Sequence, residues 1–83
     1  MSTKLFVGSL PWSVDDEELK QAFEKQGTVV SAKVVKDRDT GRSRGFGFVE
    51  MENSADAKNA INALNESELN GRNIVVNEAK ARS

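Results

Sequence analysis

Cysteine, histidine and tyrosine are absent from this chain, and proline and tryptophan occur once each. Without cysteine no disulfide can form, and nothing in the composition calls for an oxidising compartment. The missing histidine and cysteine also remove zinc fingers, Cys–His nucleophile pairs and Ser-His-Asp triads. No charge of one sign dominates. Twelve basic residues stand against 13 acidic ones, for a net charge of −1. A uniformly basic coat is thereby excluded, but a surface with local charge segregation is not. Long apolar runs are missing too, and nothing approaches the ~20 residues of a membrane-spanning helix. The opening Met1–Gly8 lacks the longer apolar region of a signal peptide. With no secretion or membrane signal, an intracellular location is expected.

What is present is one domain's worth of chain. At 83 residues there is no room for two cores, since single domains run to roughly 100–150 residues. Apolar residues make up 37% and charged residues 30%, and the apolar ones are patterned, unlike a disordered tail.

Lys4–Leu10, closed by Pro11, reads as a strand. Ser13-Val14-Asp15-Asp16 has the form of a capping box with Ser13 as cap, and Asp15–Glu18 puts carboxylates where a helix dipole favours them. Leu19, Ala22, Phe23 and Gln26 then follow at i, i+3, i+4, i+7, and Gly27 is placed as the C′ stop. Val29–Lys36 is β-branched and strand-like, Asp37–Ser43 a polar turn, and Arg44–Met51 a third strand. Ser54 is expected to cap a second helix with the stripe Ala57, Ala60, Ile61, Leu64. Glu66–Gly71 reads as a loop, Arg72–Glu78 as a fourth strand, and residues 80–83 as a flexible polar tail beyond a core of about 3–79. The order strand, helix, strand, strand, helix, strand predicts an α+β fold: a βαββαβ ferredoxin-like sandwich with two helices on one face of a four-stranded antiparallel sheet.

Two helices cover one face, so the other is wet, and strand alternation identifies it. One side carries Leu5 and Val7, then Val30, Ala32 and Val34, then Gly45, Gly47, Val49 and Met51, then Ile74 and Val76. The two glycines would admit a close helix. The other side carries Lys4, Phe6 and Gly8, then Ser31, Lys33 and Val35, then Arg44, Phe46, Phe48 and Glu50, then Asn73, Val75 and Asn77. The opposite assignment would bury Lys4, Lys33, Arg44, Glu50, Asn73 and Asn77 together, which the cost of burying charge forbids. Three of the four phenylalanines therefore lie on the open face. Flat rings edged by cations suit unpaired nucleobases, each of which has a π-face. Charge is segregated to match: Lys33, Lys36, Arg38, Arg42 and Arg44 face only Asp37 and Asp39 within the same stretch.

Arg44-Gly45-Phe46-Gly47-Phe48-Val49-Glu50-Met51 resembles the longer signature of the RNA recognition motif, departing only at Met51, which alternation turns toward the helices. Leu5-Phe6-Val7-Gly8-Ser9-Leu10 resembles the family's shorter signature. The resemblance runs from Thr3 to about Ala79. It extends to single-domain bacterial and cyanobacterial members, with a cytoplasmic location if the source is bacterial, and to plant glycine-rich RNA-binding proteins, whose glycine-rich tail is not in this sequence. It implies that Phe6 and Phe48 stack on successive bases, that Phe46 packs on sugar, and that Arg44 pairs with a phosphate. It also implies base-edge contacts around Asn77–Lys80 and flanking contacts from Lys33, Asn73, Val75, Asn77 and Arg82. The implied partner of a monomer is single-stranded RNA, with single-stranded DNA left open.

Other candidates carry less. Trp12 is expected to seal an edge of the core in preference to touching a base. Phe23, on the helix stripe, is core. Asp37-x-Asp39-x-Gly41 lacks the ligand set of a calcium loop, and the glycines at 41, 45 and 47 precede no Gly-Lys-Ser/Thr, so no metal and no cofactor are expected. Asn65-Glu66-Ser67 fits a glycosylation sequon but lacks a secretory context. An enzyme on this fold, such as an acylphosphatase, would need an Arg in the loop after the first strand, and Ser9–Ser13 has none. Protein binding through the same fold remains the alternative to RNA binding.

Overall fold

The computed structural model describes residues 2–79. Its elements are β1 (Thr3–Gly8), α1 (Asp16–Glu24), β2 (Val29–Lys36), β3 (Ser43–Met51), α2 (Ser54–Leu64), β4 (Glu68–Leu69), β5 (Arg72–Asn73) and β6 (Val75–Glu78). A four-stranded antiparallel sheet runs β2-β3-β1-β6, and β4 and β5 form a separate two-stranded ladder. The expected ferredoxin-like βαββαβ arrangement is the one found.

The core lies between the sheet and the helices. Leu5, Val7, Val34, Val49, Met51 and Val76 from the sheet, with Ile74 beside it, close against Leu19 and Phe23 of α1 and Ala57 and Ala60 of α2. Gly47, rather than Gly45, is the glycine of β3 with no room for a side chain. A Cβ there would lie 2.5 Å from the Lys33 carbonyl oxygen and 3.3 Å from Leu19 Cδ2, whereas one at Gly45 would meet only the Leu10 carbonyl oxygen at 3.8 Å.

Several expectations are corrected. The cap of α1 is Asp15, whose carboxylate accepts from Glu18 N at 2.8 Å, and not Ser13. Asn53 caps α2 by accepting from Ala55 N at 3.0 Å, leaving Ser54 as the first helical residue. Gly27 lies two residues past the C-cap Lys25, so it is not the C′ residue. The first strand ends at Gly8, because Ser9 turns the chain with φ 57°. A bulge between Val29 and Ser31 resets the alternation of β2. Val29 therefore takes the core position assigned to Val30, which is 54% exposed.

The expected fourth strand breaks at Ile74. Its N–H donates to the Ser67 carbonyl at 2.9 Å, and its carbonyl accepts from Glu66 N at 2.7 Å. The break turns part of the expected loop into the β4–β5 hairpin. A side chain also takes up one N–H on each edge strand of the sheet. Val34 N on β2 donates to Asp16 at 2.7 Å, and Val76 N on β6 donates to Asn65 at 2.9 Å.

Candidate nucleic-acid interface

One row crosses the open face. Strand register places Lys33 opposite Phe48, Phe48 opposite Phe6, and Phe6 opposite Asn77. The next row toward the C-terminal end of β1 holds Gly8 opposite Val75. The row on the other side holds Ser31 opposite Glu50 and Glu50 opposite Lys4.

Phe6, Phe46 and Phe48 are half-buried and form a triangle. The ring centroids of Phe6 and Phe46 are 5.9 Å apart at 30°, while Phe48 stands 5.9 Å from Phe6 at 67° and 6.2 Å from Phe46 at 89°. These are favourable tilted and edge-to-face contacts, so each ring holds its neighbours in place. Gly8 completes the seat: a Cβ there would come within 2.9 Å of Phe6 Cε2. Sequence alternation puts Gly8 on this face but gives no hint that the Phe6 ring lies against it.

Cations border the rings. Lys4 Nζ sits 5.6 Å from the centroid of Phe48, and Lys33 and Arg44 are exposed. A cleft of about 590 Å³ along the β2 side of the face is lined by Lys4, Ser31, Lys33, Phe48 and Glu50 among others. The Glu50 carboxylate accepts from Ser2 Oγ at 2.5 Å, so an acid is built into an otherwise basic border.

The fold thus brings together Phe6, Phe46, Phe48, Lys33, Val75 and Asn77, while Arg44 is exposed on β3 two residues before Phe46. Val75 is 37% exposed, and Asn77 is exposed. Asn73 is not on the same sheet; it pairs with Glu68 in the β4–β5 ladder, because the strand breaks at Ile74. Lys80 and Arg82 lie outside the described residues. Trp12 corrects a further expectation. It seals nothing and is 72% exposed on the loop between β1 and α1. The Asp37–Arg42 turn is explained by its own hydrogen bonds, with Asp37 Oδ1 accepting from Asp39 N at 2.8 Å.

The family model for the RNA recognition motif matches residues 5–75. The chain belongs to the RNA recognition motif family. It is 57% identical over 83 residues to glycine-rich RNA-binding protein 4, mitochondrial, of Arabidopsis thaliana, covering 100% of this chain and 61% of that protein. A crystal structure of RNA Binding Protein PG1 superposes with a TM-score of 0.92 at 47% identity and 98% coverage of both chains. The motif also superposes on a Sxl-lethal protein/RNA complex with a TM-score of 0.90 at 29% identity, covering 100% of this chain and 50% of that one. The chain spans between 23% and 61% of the length of two of its curated plant relatives. Those two carry chloroplastic and mitochondrial names, which gives no support to the bacterial cytoplasmic location. Among the described residues, no helix is long and apolar enough to cross a membrane.

Proposed function

We propose that this RNA recognition motif binds single-stranded RNA on the open face of its sheet. The observation that carries the reading is the in-register row Lys33–Phe48–Phe6–Asn77, in which two half-buried rings are flanked by a cation and an amide. Phe6 and Phe48 each offer a face to a base, Phe46 packs against sugar, and Arg44 meets a phosphate. Asn77 and Val75 border the base site on the β6 side, and Lys33 and Lys4 border it on the β2 side. Support also comes from the family match and from the names of the relatives, which are RNA-binding proteins and ribonucleoproteins.

The reading assigns binding and no catalysis to a single domain of about 3–79. A monomer fits the two sheet edges, on each of which one N–H that a second sheet would need is taken, by Asp16 and by Asn65. RNA is preferred over single-stranded DNA on the family match, since stacking rings alone do not read a 2′-hydroxyl.

Fluorescence anisotropy of a labelled random-sequence RNA octamer tests the proposal. The signal should rise with the parent chain and stay flat with the Phe6→Ala/Phe48→Ala double variant, provided that variant remains folded by circular dichroism. Equal binding by a folded double variant would remove the rings from the interface.

A further inference from the structure

Glu50 stands on the open face, two residues past Phe48 on β3, where its charge opposes the phosphates that Lys4 and Lys33 attract. Register puts Lys4 opposite it on β1 and Ser31 opposite it on β2. Among the described residues, no ion pair joins Lys4 to Glu50. The Lys4 ammonium stands over Phe48 instead, 5.6 Å from the ring centroid. Glu50 is half-buried, and one of its oxygens accepts from Ser2 Oγ at 2.5 Å. That bond orients the carboxylate without filling it, since an ionised carboxyl group has about four acceptor positions. An oriented acceptor on a face that meets phosphates calls for a donor other than the backbone of the strand it binds.

The surroundings say where that donor comes from. Glu50 shares a cleft of about 590 Å³ with Lys4, Ser31, Lys33 and the Phe48 ring. Asp16 also lines the cleft, but its carboxylate accepts from Val34 N at 2.7 Å and is committed to the sheet edge. Side chains two residues apart on a strand share a face at a spacing of roughly 7 Å. A base stacked on Phe48 therefore turns one edge toward Glu50, with the Lys4 ammonium close by. The four bases answer a carboxylate differently. Guanine presents N1–H and N2–H side by side, matching the two carboxylate oxygens, and carries the O6 acceptor next to them for an ammonium. Adenine and cytosine offer one amino group beside a ring nitrogen whose lone pair the carboxylate repels. Uracil offers a single N3–H between two carbonyl oxygens.

We propose that Glu50 is a base-reading acceptor of the open face and makes the Phe48 position selective for guanine, with the carboxylate on N1–H and N2–H and Lys4 on O6. The inference rests on the RNA-binding reading and adds to it a preference that the rings do not supply, because every base has a π-face.

The test is a set of single-stranded RNA hexamers, oligouridine and the same strand with one central guanosine, inosine, adenosine or cytidine, titrated into the full chain while the sheet amides are followed. The parent should bind the guanosine hexamer about five- to thirty-fold more tightly than oligouridine, the lower part of the range for a bidentate contact to a base. Inosine, whose base lacks the N2 amino group, should fall between the two. Glu50→Gln keeps the shape of the side chain and removes its charge. It should bind oligouridine more tightly than the parent does, lose most of the preference for guanosine, and no longer separate guanosine from inosine. A purely structural role for Glu50 would instead weaken all the hexamers alike. Sheet shifts with no guanosine preference in the parent, or the same preference kept by Glu50→Gln, would overturn the assignment and leave the sheet interface standing. If no hexamer shifts the sheet amides, the RNA reading falls, and the guanine reading falls with it.

Discussion

Gly8 lies against the ring of Phe6, so that a single added methyl group would stand 2.9 Å from Phe6 Cε2 and 3.3 Å from Cζ. The clash is with the ring and not with backbone. Gly8→Ala should therefore tilt Phe6 and misalign it with Phe48, 5.9 Å away, while sparing the core. The expected outcome is RNA binding weakened by about 1 kcal/mol, a fraction of the stacking contribution of one base. Melting temperature, measured alongside affinity, should change little.

Phe6→Ala and Phe48→Ala should each weaken single-stranded RNA binding by roughly 1–3 kcal/mol and leave a folded domain. Phe46→Ala should also weaken binding without unfolding the chain. Phe23→Ala should do the reverse, because Phe23 is fully buried. Its truncation is expected to cost about 3–5 kcal/mol of stability. Chemical denaturation of the four variants checks the assignment of faces. Equal destabilisation by Phe48→Ala and Phe23→Ala would reverse it.

Gly47→Ala is a stability prediction with a backbone cause. The new Cβ would meet the Lys33 carbonyl oxygen at 2.5 Å and Val34 Cα at 3.0 Å, neither of which can swing aside. Forcing β2 and β3 apart should cost about 1–3 kcal/mol, as overpacking does elsewhere. The midpoint of urea unfolding reads this directly.

Ionic strength provides an independent check. The cations beside the rings are few, so about two to four phosphates should be neutralised, giving a slope of log K against log salt of about −1.5 to −3. Arg44→Ala should flatten the slope. Lys58→Ala, on α2 and away from the rings, should not. A much steeper slope would indicate diffuse electrostatic binding in place of stacking.

Much of this arrangement was legible in the sequence, for physical reasons. Alternation in β3 separates Phe46 and Phe48 from Val49 and Met51 because the pleat leaves a side chain only two directions. Periodicity likewise located Leu19 and Phe23, since a helix has one face to bury. The misses have local causes. Ser13 and Asp15 are both competent caps, and only the turn from Pro11 to Val14 settles that Asp15 caps α1. The bulge that exchanges Val29 for Val30 leaves no mark in a run of two valines. Asn73 was placed on the sheet because its parity matches Val75, and parity does not register the break at Ile74. Trp12 was expected to seal an edge of the core, whereas its exposure follows from its place at the tip of a turn whose neighbours take the buried positions.

The most direct test of the central claim is an amide chemical-shift titration with a short RNA, single-stranded in one series and annealed into a blunt duplex in the other. A duplex hides its base faces within its own stack, and a chain of net charge −1 has little attraction for phosphates alone. The account predicts that the single strand shifts amides of β1, β2, β3 and β6 and of Gly41–Arg44, leaves α1 and α2 largely still, and binds clearly better than the duplex. Silence from single strands at millimolar concentration, or shifts confined to the helices, would contradict it and make a protein partner the leading reading.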